Sequence, residues 1–264
     1  MLIGFYALPF GRMIIESLQH GSAGGAVWTF EHYERIGSSG RVQRSLWRTL
    51  SISAWVTLIT LALSFPLALY LVKAGRLIRT TFLVTLFISL ASSLIVRNYG
   101  WLVTLADAGP INQVMRALGL IDTPLRMVYN EAATIVALVH YAIPFMTLPI
   151  FAALLRIPST LNDSAASLGA GPFRVIRDLT WPLAMPGIFG GVVLTFSLGM
   201  SAFVTPLMLG SPATAMISQV AAEQFLVQLA FPFGSAIVVT LVLITFAIVL
   251  TSAWTVRKVF RAQV

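Results

Sequence analysis

Long stretches of this chain carry no charged side chain, and their lengths define its organisation. Residues 49–72 form an uncharged run of 24 between Arg48 and Lys73. Residues 80–96 form a run of 17; after Arg97 the chain is uncharged again to Ala106. Residues 132–155 form a run of 24 that contains His140. Residues 179–222 and 224–256 form runs of 44 and 33. A helix needs about 20 apolar residues to cross the hydrocarbon core of a bilayer, so each of the first three runs predicts one crossing. Pro206, Gly210 and Pro212 divide the 44-residue run into a span at about 185–209 and a re-entrant or surface segment. Pro232 leaves a last span at about 233–255. The runs are continuous rather than alternating, which argues against strands.

Residues 1–18 start apolar but carry Arg12 and Glu16, spaced to pair on one helix face. They predict a short, partial first span. A basic leader and a small-residue cleavage site are both missing, so a signal peptide is a poor reading. The prediction is an all-α integral membrane protein with a single transmembrane domain over 1–264. It has about six transmembrane helices, at about 1–18, 49–72, 80–105, 132–155, 185–209 and 233–255, with a loop at 156–182. Small-residue loops at 21–25 and 37–40 flank Phe30-Glu31-His32-Tyr33. Asp107-Ala108-Gly109-Pro110 is a turn signal ahead of a short helix at 111–118 that stops at Gly119. Residues 214–229 predict another short helix. Pro66, Pro144 and Pro149 are expected to bend their spans. Gly187 and Gly191, followed by Gly199, permit close helix approach, first within the chain and second against another subunit.

Composition agrees. Of 264 residues, 58% are hydrophobic and 10% charged, and mean hydropathy is +0.89. A soluble domain carries about 25% charged residues, so the charge here is too sparse to cover a globule. The absence of cysteine excludes disulfides, thiolate metal sites, iron–sulfur clusters and cysteine nucleophiles. The net charge of +8 forms no dense basic face, which argues against a nucleic-acid partner. Segments 73–79 and 156–182 and the tail after Val256 hold nine basic and two acidic residues. The other side holds eight basic and seven acidic residues in longer segments. Basic density therefore places the first group in the cytoplasm.

Enzyme chemistry finds no foothold. Neither lysine, Lys73 or Lys258, stands in a phosphate-binding Gly-x4-Gly-Lys-Ser/Thr context. His20, His32 and His140 lack His-Glu-x-x-His spacing, and no Gly-x-Ser-x-Gly motif singles out a serine. Catalytic and metal-binding residues are not expected. A passive channel or secondary transporter remains the rival reading for a polytopic membrane protein.

The loop at 156–182 is the most informative stretch. Ser159 can N-cap a short helix, with Asp163 in its first turn, where negative charge is favoured. Gly169 and Gly171 end that helix, and Pro172 starts a second one carrying Arg174 and Arg177. Pro182 is expected to stop the second helix near Trp181. An exposed short helix with a small-residue face suits docking into another protein's groove.

Ser164-Ala165-Ala166-Ser167-Leu168-Gly169-Ala170-Gly171, followed by Leu179-Thr180-Trp181-Pro182, resembles the EAA loop of bacterial ABC importer permeases. The family pattern is Glu-Ala-Ala, three residues, Gly, nine residues, Ile-x-Leu-Pro. Ala165, Ala166, Gly169 and Pro182 are taken as the matching residues, with Leu179 and Trp181 at the Ile and Leu positions. Ser164 is taken at the glutamate position, with Asp163 one residue earlier. Val96-Arg97-Asn98-Tyr99-Gly100-Trp101, Gly109-Pro110-Ile111-Asn112, Leu118-Gly119-Leu120-Ile121-Asp122, Pro144-Phe145-Met146 and Phe203-Val204-Thr205-Pro206-Leu207-Met208-Leu209-Gly210 resemble the spermidine/putrescine permease branch, first-subunit type. Branches for iron(III), opines and phosphonates share some of these stretches.

The resemblance implies a non-catalytic permease in the bacterial inner membrane. It implies pairing with a second permease, two cytoplasmic ATPase subunits and an external, periplasmic substrate-binding protein. ATP and magnesium would belong to the ATPase subunits, leaving this chain without a cofactor. Asp163, Ser164, Ala165, Ala166, Gly169, Arg174, Leu179 and Pro182 would couple the permease to the ATPase. A polyamine is a flexible polycation, so carboxylates and aromatic faces would suit it; Tyr99, Trp101, Tyr141, Phe145 and Glu131 are the candidate pathway residues. Asp107, Asp122 and Glu223 also lie toward the outer face. Arg97 reads as an interfacial anchor or a gate, and His140 as helix packing or a pathway residue.

Overall fold

The long uncharged runs are largely helix, but not every run is one helix. The computed structural model describes residues 2–20, 27–167 and 169–261. The glycine-rich loop expected at 21–25 therefore lies outside the described residues. In chain order the elements are α1 (Leu2–Ser17), the two-residue strands β1 (Gln19–His20) and β2 (Val27–Trp28), α2 (Glu31–Ser38), α3 (Gly40–Lys73), α4 (Arg76–Ala91), α5 (Leu94–Leu105), α6 (Pro110–Ala117) and α7 (Glu131–Leu154). Then follow α8 (Ser159–Ser167), α9 (Pro172–Val175), a π-helical turn (Ile176–Thr180), α10 (Trp181–Met200), α11 (Val204–Leu209), a 3-10 turn (Pro212–Thr214), α12 (Ile217–Leu226) and α13 (Phe231–Arg261). The strands pair antiparallel, Gln19 opposite Trp28 and His20 opposite Val27.

Among the described residues, four helices are long and apolar enough to cross a membrane: Gly40–Lys73, Glu131–Leu154, Pro172–Met200 and Phe231–Trp254. At 1.5 Å per residue, the 16 residues of α1 reach only about 24 Å, short of a full hydrocarbon core. Arg12 and Glu16 pair on it at 3.3 Å.

The single crossing expected at 80–105 is not one helix but two. Arg76–Ala91 and Leu94–Ala117 meet at 101°. Ser92 is extended and Ser93 non-helical, which leaves the last carbonyls of α4 without helical partners. Arg97 supplies donors: its guanidinium bonds the carbonyls of Ser89 and Ser92. A charge-free run cannot reveal such a break, because the satisfying group sits outside the run.

The span expected at 185–209 also differs. Pro182 does not stop the preceding helix, and helix continues from Pro172 to Met200. The π turn lies directly before this proline, and the Trp181 N–H reaches back to the Ile176 carbonyl. That wider turn accommodates a ring lacking an N–H donor. The helix ends at Met200, capped by Ser201, and α11 is a separate piece. The short helices expected at 111–118 and 214–229 are α6 and α12; Gly119, at φ +66°, follows α6.

The core lies where α3, α7 and α10 meet. Phe65, Ala68 and Leu71 of α3, Met146, Ile150, Phe151 and Leu154 of α7, and Ala184 and Ile188 of α10 form one buried cluster. Glycine sets its spacing. A Cβ on Gly187 would strike the Pro149 carbonyl and Ala153, one on Gly191 the Met146 sulfur at 2.6 Å, and one on Gly199 the Ser53 side chain at 2.8 Å. The close approach expected of these glycines is thus made within the chain. Ser45, Thr49, Ser53, Thr57, Thr60 and Ser64 form a buried stripe of small polar residues along α3. Thr49 donates to the Ser45 carbonyl at 2.8 Å and accepts from the Ile217 N–H at 2.9 Å, tying α12 to α3. Pro66, Pro144, Pro149 and Pro186 lie inside helices that continue through them.

Candidate functional site

Two regions carry the candidate residues. The first is the loop between α7 and α10. After α8, Gly169 takes φ +82°, in the left-handed region that favours glycine. The Ala170 N–H then closes back onto the Ala165 carbonyl at 3.0 Å. This glycine closure satisfies a helix-terminal carbonyl and turns the chain into α9. Ser164 and Arg174 are exposed, Ala165 is half-buried, and Leu179 and Pro182 are partly covered at the start of the long helix. Asp163 and Ala166 lie on α8, but their side chains, like Leu168, lie outside the described residues.

The glycine also fixes the register. In the family pattern three residues separate it from the tripeptide, so Gly169 places Asp163, Ser164 and Ala165 at Glu-Ala-Ala. The acid position therefore holds Asp163, not Ser164 as first expected, and Ala166 falls in the spacer. Arg174 approaches Asp178 at 3.5 Å, one turn on, and Arg177 approaches it at 3.7 Å. Phe173 stands 77% exposed. Trp181 meets Phe65 of α3 edge-on at 4.7 Å. The loop thus presents a small helical elbow to solvent while its exit is fastened to the core.

The second region is a strip where α5 crosses α7. The Trp101 indole donates to His140 Nδ1 at 3.1 Å, with the rings edge to face. Nδ1 is then the acceptor, so a neutral His140 carries its proton on Nε2. The Arg97 guanidinium lies 5.0 Å from the centre of the Tyr141 ring, and Tyr141 meets Phe145 edge-on at 5.4 Å. Arg97, Trp101, His140, Tyr141 and Phe145 therefore form one continuous strip. Tyr99 does not join it and is 61% exposed. Glu131 lies more than two turns earlier on α7 and pairs with Arg48 at 2.5 Å. Asp107 and Asp122 are exposed on the cap around α6. Glu223 forms a two-point pair with Arg41, at 2.9 and 2.5 Å. Hydrogen bonding to Arg41 holds the Glu223 carboxyl below the usual carboxylate range, outweighing the upward push of burial.

Three polar residues that hold this architecture were not singled out in the sequence. Asn98 and Thr205 join α5 to α11 in the interior. Asn112 donates to the carbonyls of Ala106 and Leu125 at 3.1 Å each and accepts from the Leu125 N–H at 2.9 Å. It closes the cap around α6. Gly109, just before it, has no room for a Cβ, which would meet the Val103 carbonyl at 2.5 Å. All lie within the stretches quoted above for their resemblance, but a lone Asn in an apolar run gives no hint of its partner. Among the described residues no group of three or more His, Asp or Glu could hold a metal ion.

A family model described as the binding-protein-dependent transport system inner membrane component matches residues 38–261. The spermidine/putrescine transport system permease protein PotB of Escherichia coli K12 is 29% identical over 90% of this chain and 86% of its own. The protein of the same name from Haemophilus influenzae is 30% identical over 79% of this chain and 73% of its own. Among solved structures, the bacterial alginate ABC transporter in complex with alginate pentasaccharide-bound periplasmic protein superposes with a TM-score of 0.82 at 18% identity. That match covers 98% of this chain and 90% of the other.

Proposed function

This chain belongs to the family of binding-protein-dependent transport system inner membrane components, and from that premise we propose that it forms half of the translocation pathway of an ATP-driven polyamine importer. It is a non-catalytic, multi-pass subunit of the inner membrane. Members of the family work with an ATPase and a substrate-binding protein. The finer composition is the proposal: a second permease beside it, two ATPase subunits below and one binding protein outside. ATP and magnesium sit in the ATPase subunits.

One observation carries the substrate: the similarity to spermidine/putrescine permeases extends over 90% of the chain rather than over the loop alone. The outer cap adds to it with Asp107 and Asp122, exposed carboxylates that attract a polycation or the protein carrying it. The elbow at Gly169 supports the coupling role. It links α8 through α9 and the π turn to α10, so motion of a docked ATPase tilts that helix. ATP and the loaded binding protein each shift the equilibrium only by favouring the same state.

Co-purification from the native membrane tests this reading. The expected result is an ATPase and a second permease recovered with the chain, and ATP hydrolysis stimulated by spermidine-loaded binding protein. Stimulation by an iron(III), opine or phosphonate binding protein instead would replace the substrate. A chain that purifies alone under several mild conditions would replace the importer by a channel or secondary transporter.

A further inference from the structure

Away from the strip and the loop, an open cleft of about 430 Å³ lies between the first turns of α3 and α7. Gln43, Arg44, Trp47, Arg48, Ser51 and Glu131 line it. The uncharged runs of the two spans begin at Thr49 and Ala132, so the cleft straddles the level where both helices enter hydrocarbon. From Gln43 to Ser51 the helix climbs about 12 Å, the depth of a headgroup layer rather than of the apolar core. Basic density puts this end of α3 on the outer side.

The lining has a defined chemistry. Glu131 neutralises Arg48 at 2.5 Å. Arg44 pairs with no acidic side chain among the described residues, so the cleft carries one excess positive charge. Two guanidinium groups on one helix face offer forked donors that match phosphate oxygens. Trp47, 74% exposed, presents a large apolar ring with one N–H donor at the boundary where such rings are enriched. A polyamine suits this place poorly, because its cations would face Arg44 while the carboxylate is already engaged. We propose that the cleft binds the phosphate of a phospholipid headgroup from the outer leaflet, with Arg44 and Arg48 on the phosphate and Trp47 along the first carbons of the acyl chain.

Native mass spectrometry of the assembled importer, titrated with phosphatidylglycerol and phosphatidylethanolamine, tests this. Arg44→Gln is expected to lower the affinity of one retained lipid about tenfold, the value of one charge-assisted contact. Arg44→Lys, which keeps the charge but loses the forked donors, is expected to restore part of it. Arg41→Gln, which removes a cation of the same helix outside the cleft, is expected to leave the lipid count unchanged. Equal loss in the Arg41 and Arg44 variants would overturn the site. So would displacement of the lipid by inorganic phosphate, which would make it a free-anion site. Lipid retained by the isolated chain but not by the assembled importer would show that the second permease covers the cleft, and would equally overturn the proposal.

Discussion

Asn98 and Thr205, 107 positions apart, complete each other's hydrogen bonds in the protein interior: the amide donates to the hydroxyl at 3.1 Å and the hydroxyl donates to the amide oxygen at 3.2 Å. Both side chains are buried. Asn98 sits on a 12-residue helix just past the break at Ser92, and Thr205 on a 6-residue helix just past the end of α10. Neither piece is long enough to span a bilayer, so the pair fastens two partial helices to each other.

Breaking the pair should loosen both. Asn98→Leu leaves the Thr205 hydroxyl buried without its partner and is expected to cost about 1–3 kcal/mol. Thr205→Val in that background should recover part of it. A double-mutant cycle on thermal unfolding in detergent is expected to give a coupling of about 0.5–2 kcal/mol. Additive effects would show that the two residues act separately.

The glycines of α10 make an internally controlled comparison. Gly187 faces the Pro149 backbone and Ala153, whereas a Cβ on Gly190 would meet nothing nearer than the Pro149 Cβ at 3.9 Å. Gly187→Ala is therefore expected to destabilise by about 1–3 kcal/mol through overpacking. Gly190→Ala is expected to be neutral or to stabilise by up to about 1 kcal/mol through helix propensity. Equal effects at the two positions would contradict the described α7–α10 approach.

Gly169 separates conformation from bulk. A Cβ there meets nothing within 4 Å, so the demand on this residue comes from its φ of +82°. Gly169→Val is expected to strain the elbow by about 1–2 kcal/mol, leave the membrane core intact, and lower uptake much more than ATP hydrolysis. Gly169→Asn, which tolerates the left-handed region, is expected to keep most of the uptake. Uptake unchanged in the valine variant would remove the coupling role.

Much of this arrangement was legible in the sequence, for identifiable reasons. Charge-free runs gave α3, α7 and α13 because lipid exposure penalises every charge in a span. Gly187 and Gly191 announced the close α7–α10 approach, and Gly169 announced the elbow, since each position needs a residue without a Cβ or with positive φ. The break at Ser92 stayed hidden because Arg97, which satisfies the freed carbonyls, reads from sequence as an interfacial anchor. The continuation through Pro182 stayed hidden because a π turn has no sequence signature of its own. Among the pathway candidates, Trp101, Tyr141 and Phe145 come together, whereas Tyr99 and Glu131 stand apart. Pairing across elements is what sequence spacing does not show.

The Arg41–Glu223 pair gives a pH signature. Its folded-state carboxyl is depressed, so its stabilisation is fully present above the unfolded value of about 4.3 and is lost as pH falls through the lower folded value. Comparing Glu223→Gln with the parent chain should show a small deficit in unfolding temperature at neutral pH, shrinking to nothing in strong acid. Both side chains are partly exposed, so added salt should shrink it as well. A deficit that grows on acidification would contradict the pair.

The most direct test of the central claim is uptake of labelled spermidine into proteoliposomes holding this chain, its co-purified permease and ATPase, with the binding protein added outside and ATP inside. The account predicts accumulation that needs both ATP and the binding protein and is strongly lowered by Gly169→Val. Accumulation without ATP, or ATP hydrolysis that no polyamine stimulates, would contradict it.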